Sequence, residues 1–172
     1  MSRAERSITW FPLSDTRWPD RHWMGCVTKV DGNRIFARIA PEGDLSVPPI
    51  LMVHGLVVSG SYFQPVAQYL DGRYRLYIPD LPGVGRSDAR RHHDLGELVA
   101  ILDAWMEIHQ LERAIVVGNS LGCQVATLLA VRYPHRVASL VMVAPTIDPD
   151  TRGALGLLVR GLLDVTREHR GL

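Results

Sequence analysis

The stretch Gly118-Asn119-Ser120-Leu121-Gly122 constrains this chain more than any other. Residues 113–117 ahead of it are a short β-branched run that reads as a buried strand. Residues 124–133 behind it are good helix formers, with Pro134 just past their end. A strand that becomes a helix over G-x-S-x-G must turn sharply. Such a turn lifts the serine hydroxyl above the sheet, and only glycine on either flank lets neighbouring backbone approach so closely. A plain helix-capping serine is the structural alternative, and the strand ahead of the paired glycines weighs against it.

Two other strands end in motifs of their own. Residues 49–53 are an apolar run leading into His54-Gly55-Leu56, and residues 74–78 lead into Asp80-Leu81-Pro82-Gly83-Val84-Gly85-Arg86-Ser87. From there the chain alternates: strand 50–53, helix 62–70, strand 74–78, helix 94–108, strand 113–117, helix 121–133 and strand 137–143. Alternating β and α with apolar strands specifies a parallel sheet covered on both faces. Leu98, Ile101, Leu102 and Trp105 recur at helical spacing, which is the mark of core packing. Ahead of this region, residues 24–30 and 34–40 flank Asp31-Gly32-Asn33 and read as a β-hairpin. Residues 1–22, with Trp10, Phe11 and Trp18 among proline and charge, read as an irregular lead-in.

With H-G after one strand, D-x-P-G-x-G-x-S after the next and G-N-S-L-G after a third, the chain resembles the α/β-hydrolase family from about residue 24 to residue 145. The resemblance implies an α/β-hydrolase-like, mostly parallel sheet with helices on both faces, truncated after the sixth strand and the start of a helical cap. It divides the chain into a lead-in at 1–22, an incomplete hydrolase core at 23–147 and the start of a cap or lid at 148–172. Asp148-Pro149-Asp150-Thr151 looks like a helix start, and Leu155, Leu158, Val159, Leu162 and Leu163 form one apolar stripe after it. An amphipathic helix packed on the sheet would show the same stripe.

In the family's pattern Ser120 is the nucleophile, and the backbone N–H groups of Leu56 and Leu121 form the oxyanion hole for the tetrahedral intermediate. Helix 121–133 aims its positive end at the same point. His54, Gly55, Gly118, Asn119 and Gly122 shape the site. His54 is expected to hold the oxyanion loop, because the family's catalytic histidine comes later in the chain. Asp80 and Ser87 read as turn-holding residues.

The family order is serine, then acid, then histidine, and only His135 and His169 follow Ser120. A helix rising ~1.5 Å per residue carries His135 roughly 20 Å from the elbow. His169 reads as a solvent-facing residue favoured by a helix end. Asp148, just past strand 137–143, is the candidate acid, yet it has no histidine to orient. Strand 137–143 is almost continuously apolar and reads as buried on both faces. Ending a sheet there leaves a hydrophobic edge of the kind natural proteins avoid. The triad's acid and histidine are therefore expected beyond Leu172, in a longer hydrolase of which this is the amino-terminal portion.

Bulk properties narrow the function further. A hydrophobic content of 47% and a net charge of +1 fit an ordinary soluble domain. The one short basic stretch, Arg90-Arg91-His92-His93, reads as a solvated loop, so nucleic acid is not an expected partner. No apolar run reaches the length of a membrane span, so no membrane partner is expected either. The first residues lack the apolar core of a signal peptide. Cys26 and Cys123 read as two buried thiols, which suits the cytoplasm. The seven histidines show no metal-ligand spacing, so no metal and no cofactor are expected.

The expected function is that of a serine hydrolase cleaving an ester or similar acyl bond of a small apolar molecule. Two readings stand beside it: a catalytically silent binding module on the same fold, and a C–C bond hydrolase or cofactor-free peroxidase-type enzyme. Self-association into a homo-oligomer through the exposed sheet edge is the expected quaternary behaviour.

Overall fold

The computed structural model describes residues 7–13, 18, 23–89 and 91–145. In chain order the strands are β1 (Ile8–Pro12), β2 (Met24–Val30), β3 (Asn33–Ala40), β4 (Ile50–Val53), β5 (Leu76–Pro79), β6 (Ala114–Asn119) and β7 (Val137–Val143). The α-helices are α1 (Gln64–Leu70), α2 (Leu95–Ile108) and α3 (Leu121–Arg132), with 3-10 turns at Gly60–Phe63 and Pro134–Arg136. The strands form one sheet in the order β1-β2-β3-β5-β4-β6-β7. β5, β4, β6 and β7 run parallel to one another, while β1, β2 and β3 form an antiparallel wing that joins β5.

The centre of the sheet shows why an unbroken apolar run makes a good strand here. All four residues of β4 are buried. Successive side chains point to opposite faces, so Leu51 and Val53 join the core under α2 and α3, with Leu102, Trp105, Val125 and Leu129. Ile50 and Met52 join a second core on the other face, with Phe63 and Ala67 at α1. Each such side chain taken from water contributes about 1.5–3 kcal/mol. Helix α2 starts at a capping box: Asp94 Oδ1 accepts from the Glu97 N–H at 2.8 Å, and Glu97 Oε2 accepts from the Asp94 N–H at 3.1 Å.

Three expectations need correction. The lead-in is not irregular throughout, because Ile8–Pro12 forms β1 and pairs with β2 from Ile8 opposite Thr28 to Pro12 opposite Met24. Ile, Thr, Trp and Phe are strand formers, and proline is tolerated at the end of an edge strand. β7 is therefore the seventh strand of the sheet and not the sixth. Nor is β7 buried on both faces. Among the described residues it pairs with β6 alone, and Val141, Met142 and Val143 are 44%, 50% and 42% exposed. The helix expected at 62–70 begins as a 3-10 turn and becomes α-helical only at Gln64, with proline in its first turn. Asp148, His169 and the cap expected at 148–172 lie outside the described residues.

Candidate active site

β4 and β6 are parallel neighbours, with Val53 opposite Gly118. The segments that follow, 54–56 and 119–121, therefore leave the sheet side by side at its carboxyl edge. This is where ligands of open α/β sheets bind. The contact is close: a Cβ on Gly55 would sit 3.1 Å from Ser120 Cβ and 3.3 Å from Asn119 Oδ1. A Cβ on Gly118 would come within 2.5 Å of the Gly122 carbonyl oxygen, and one on Gly122 would overlap the Val53 carbonyl oxygen. The two glycines are what let α3 start directly against β4 and β6.

Ser120 itself has φ 53 and ψ −117. A non-glycine residue at such an angle stores of order 1–3 kcal/mol and persists only where its surroundings over-determine it. Here its N–H donates to the Val143 carbonyl at 3.0 Å and its carbonyl accepts from the Cys123 N–H at 2.9 Å. Its side chain makes no capping bond to α3. The helix-cap alternative is thereby removed. The N–H groups of Leu56 and Leu121 have no backbone acceptor among the described residues.

His54 is fully buried, and both of its ring nitrogens are engaged. Nε2 accepts from the Leu81 N–H at 2.8 Å, which fixes the ring proton on Nδ1, 2.7 Å from the Gly55 carbonyl oxygen. Burial pushes the pKa of this imidazole down, so it is held neutral. The ring is thus a strut between segment 54–56 and the loop after β5.

Asp80 ties the same loops from beneath. Its Oδ1 accepts from Arg38 Nη1 at 2.8 Å and from the Gly60 N–H at 2.7 Å, and its Oδ2 accepts from the Arg86 N–H at 2.9 Å. The Ser87 hydroxyl donates to the Asp80 carbonyl at 2.7 Å and accepts from the Phe36 N–H at 2.8 Å. The turn-holding roles read for Asp80 and Ser87 match these bonds.

A cleft of about 630 Å³ opens at this edge. Gly55, Leu56 and Leu121 line it beside Ser120, Leu81 to Val84 form another wall, and Leu95 and Leu98 of α2 a third. Arg91, His92 and His93 line it too. Arg91 and His92 are exposed, as the solvated loop expected for this stretch requires, while His93 is half-buried. The Arg34–Asp88 ion pair at 3.0 Å and the contact of His93 Nε2 with Asn33 Oδ1 at 3.2 Å pin the segment against the β2–β3 hairpin. The one signal in the sequence was its place directly after D-x-P-G-x-G-x-S.

His135 lies in the turn just before β7, whose first residue pairs with Ala114 at the start of β6. It is therefore at the opposite end of the sheet from Ser120. Cys26 and Cys123 are free and buried. Among the described residues there is no cluster of three metal-ligating side chains, and no helix is long and apolar enough to cross a membrane.

Comparison with known proteins agrees with this fold. A pimeloyl-[acyl-carrier protein] methyl ester esterase from Aeromonas salmonicida is 35% identical over 102 residues, covering 56% of this chain and 37% of that protein. Its namesake from Vibrio cholerae is 40% identical over 95 residues, covering 55% and 36%. The chain thus spans little more than a third of the length of these curated relatives. Among solved structures, an alpha/beta hydrolase from Novosphingobium aromaticivorans matches with a TM-score of 0.61 and 28% identity, over 80% of this chain and 44% of that one. The family model described as alpha/beta hydrolase fold matches residues 48–164, and the chain belongs to the α/β-hydrolase fold family.

Proposed function

We propose that this chain supplies the nucleophile and the oxyanion hole of a serine hydrolase that cleaves an ester or similar acyl bond of a small apolar substrate. The observation that carries the reading is Ser120: a strained backbone at the carboxyl edge of the sheet, and a side chain not used to cap the helix it starts. In the proposed mechanism a base takes the proton from Ser120 Oγ as the oxygen attacks the acyl carbon. The oxyanion that develops accepts from the N–H groups of Leu56 and Leu121, with the positive end of α3 behind them. Removing one such donor typically costs about 10²–10³ in kcat. The leucine side chains play no part in that step and form wall of the cleft. Esterases among the relatives support an acyl bond as the target.

His54 is not the proposed base, since its Nε2 lone pair already accepts from Leu81. His135 is at the wrong edge, and His93 is turned toward Asn33 and Glu97. The proposed acid is Asp148, and the base belongs to a part of the protein outside the described residues. Two buried free thiols suit the cytoplasm as the proposed compartment.

Fluorophosphonate treatment of the whole protein tests the assignment. The probe should modify Ser120 and fail on Ser120→Ala; modification that survives this substitution sinks it. The isolated 172-residue chain should turn over p-nitrophenyl esters negligibly. Ordinary turnover abolished by His54→Ala would show that His54, and not a later histidine, is the base.

A further inference from the structure

A second cleft, of about 380 Å³, opens at the far end of the sheet from Ser120. Its volume is within the range of small-molecule sites. Ile50, Leu76 and Ile115 lie in register at the amino ends of β4, β5 and β6. The cleft is next to them, between the loop 45–49 and the turn 110–113, with Arg75 and Tyr77 also in its lining.

Arg75 is half-buried, yet among the described residues it pairs with no carboxylate. Of the five N–H donors of its guanidinium, one is used: Nη2 donates to the Val47 carbonyl at 3.0 Å. Nε–H is buried without an acceptor, and Nη1 is accessible and also has no partner. Asp44, whose carboxylate feels the Arg75 charge, is committed to its own loop. Its Oδ1 accepts from the Ser46 N–H at 2.8 Å and from the Ser46 hydroxyl at 2.7 Å. A guanidinium drawn partly out of water without a counter-ion carries a desolvation cost that a bound anion would offset.

Tyr77 is an independent observation. Its ring packs edge-on against Trp105, with centroids 6.4 Å apart, and its hydroxyl has no hydrogen-bond partner among the described residues. Burial pushes the pKa of this phenol up, against the pull of the Arg75 charge, so it stays a neutral O–H donor in the field of that guanidinium. Arg113 brings a second guanidinium to the rim, held only by a 3.4 Å bond from Nε to the Val137 carbonyl. Glu112, the one carboxylate in the lining, is exposed and pairs with neither arginine. Val47, Pro49 and Leu111 supply an apolar wall.

We propose that this cleft binds a small phosphate monoester, its phosphate on Arg75, Tyr77 and Arg113 and its organic part against the apolar wall. A phosphate monoester presents three terminal oxygens, enough for one guanidinium fork, a second guanidinium and a hydroxyl. A carboxylate, with two oxygens, is matched by a single fork. The site stands apart from the reading of Ser120.

Equilibrium dialysis of the 172-residue chain against phenyl phosphate tests the proposal, with inorganic phosphate and benzoate as comparisons. Phenyl phosphate should bind about fivefold more tightly than either, through its ring in the first case and its added charge in the second. Arg75→Gln should weaken it about tenfold, the scale of one hydrogen-bonded charge. Tyr77→Phe should weaken it about threefold while keeping the ring on Trp105, and it carries the test if Arg75→Gln fails to fold. Glu112→Gln should tighten binding, because it removes a like charge from the lining. Binding that Tyr77→Phe and Arg75→Gln leave intact overturns the site, as does the absence of binding by all three anions at millimolar concentration. Benzoate bound as tightly as phenyl phosphate overturns the phosphate head, and inorganic phosphate bound as tightly overturns the organic part.

Discussion

Gly122 has the least room of any residue at the site. A side-chain carbon there would overlap the Val53 carbonyl oxygen and lie 2.8 Å from the carbonyl carbon, and backbone cannot yield as a flexible side chain can. Gly122→Ala should therefore force α3 away from β4. We expect a loss of about 1–3 kcal/mol in urea denaturation; a variant as stable as the parent would show that α3 and β4 have room to separate freely. This constraint was legible in the sequence because the spacing of two glycines around a serine encodes it locally. The same holds for His54, whose place after an apolar strand matched its role as a strut. Arg91 and His93 were not legible in this way. Nothing in a run of arginine and histidine reveals that Asn33 and Arg34, on a distant hairpin, will fold it over the cleft.

Elements differ in how much of their environment is written into their own residues. α2 carries its capping box and its buried stripe, so its bounds could be read to within a residue. β1 carries neither: its residues are mostly exposed, and pairing with β2 makes it a strand. β7 misled in the opposite sense, since an apolar run states that a strand can be buried, not how many neighbours it has. The end of α2 also sets a pH dependence. His109 packs against Trp105 with ring centroids 4.1 Å apart, and its Nε2 lies 2.7 Å from Thr28 Oγ1. Burial pushes its pKa down from 6.5 to about 4. In that window the unfolded chain binds a proton that the folded chain refuses, so stability is full above about pH 6.5 and falls on acidification to about pH 4. The loss amounts to about 3 kcal/mol at most. His54, also pushed down by burial, adds to it in the same direction. His109→Gln should flatten the decline in denaturation curves taken across this range. An unchanged decline would assign it to other groups.

At the scale of the whole molecule the sheet is unequal at its two margins. The β1 margin is short and belongs to the antiparallel wing, whereas the β7 margin presents three exposed apolar side chains and, among the described residues, an unpaired backbone edge. Such edges pair with other chains. The 172-residue chain is expected to sediment as an oligomer or to aggregate, and Val141→Lys to shift it toward monomer. A cooperatively melting monomer of the unmodified chain would show that the edge is already covered. The last residue of β7 has a further consequence. The Val143 carbonyl oxygen receives the Ser120 N–H at 3.0 Å, the Cys123 thiol at 3.3 Å and the Asn119 amide at 3.5 Å. Ala144 follows at once with φ 48. The elbow and the chain that leaves the sheet are thus moored to one atom. A displacement of the end of β7 therefore reaches the Ser120 backbone directly, through the carbonyl oxygen that receives its N–H.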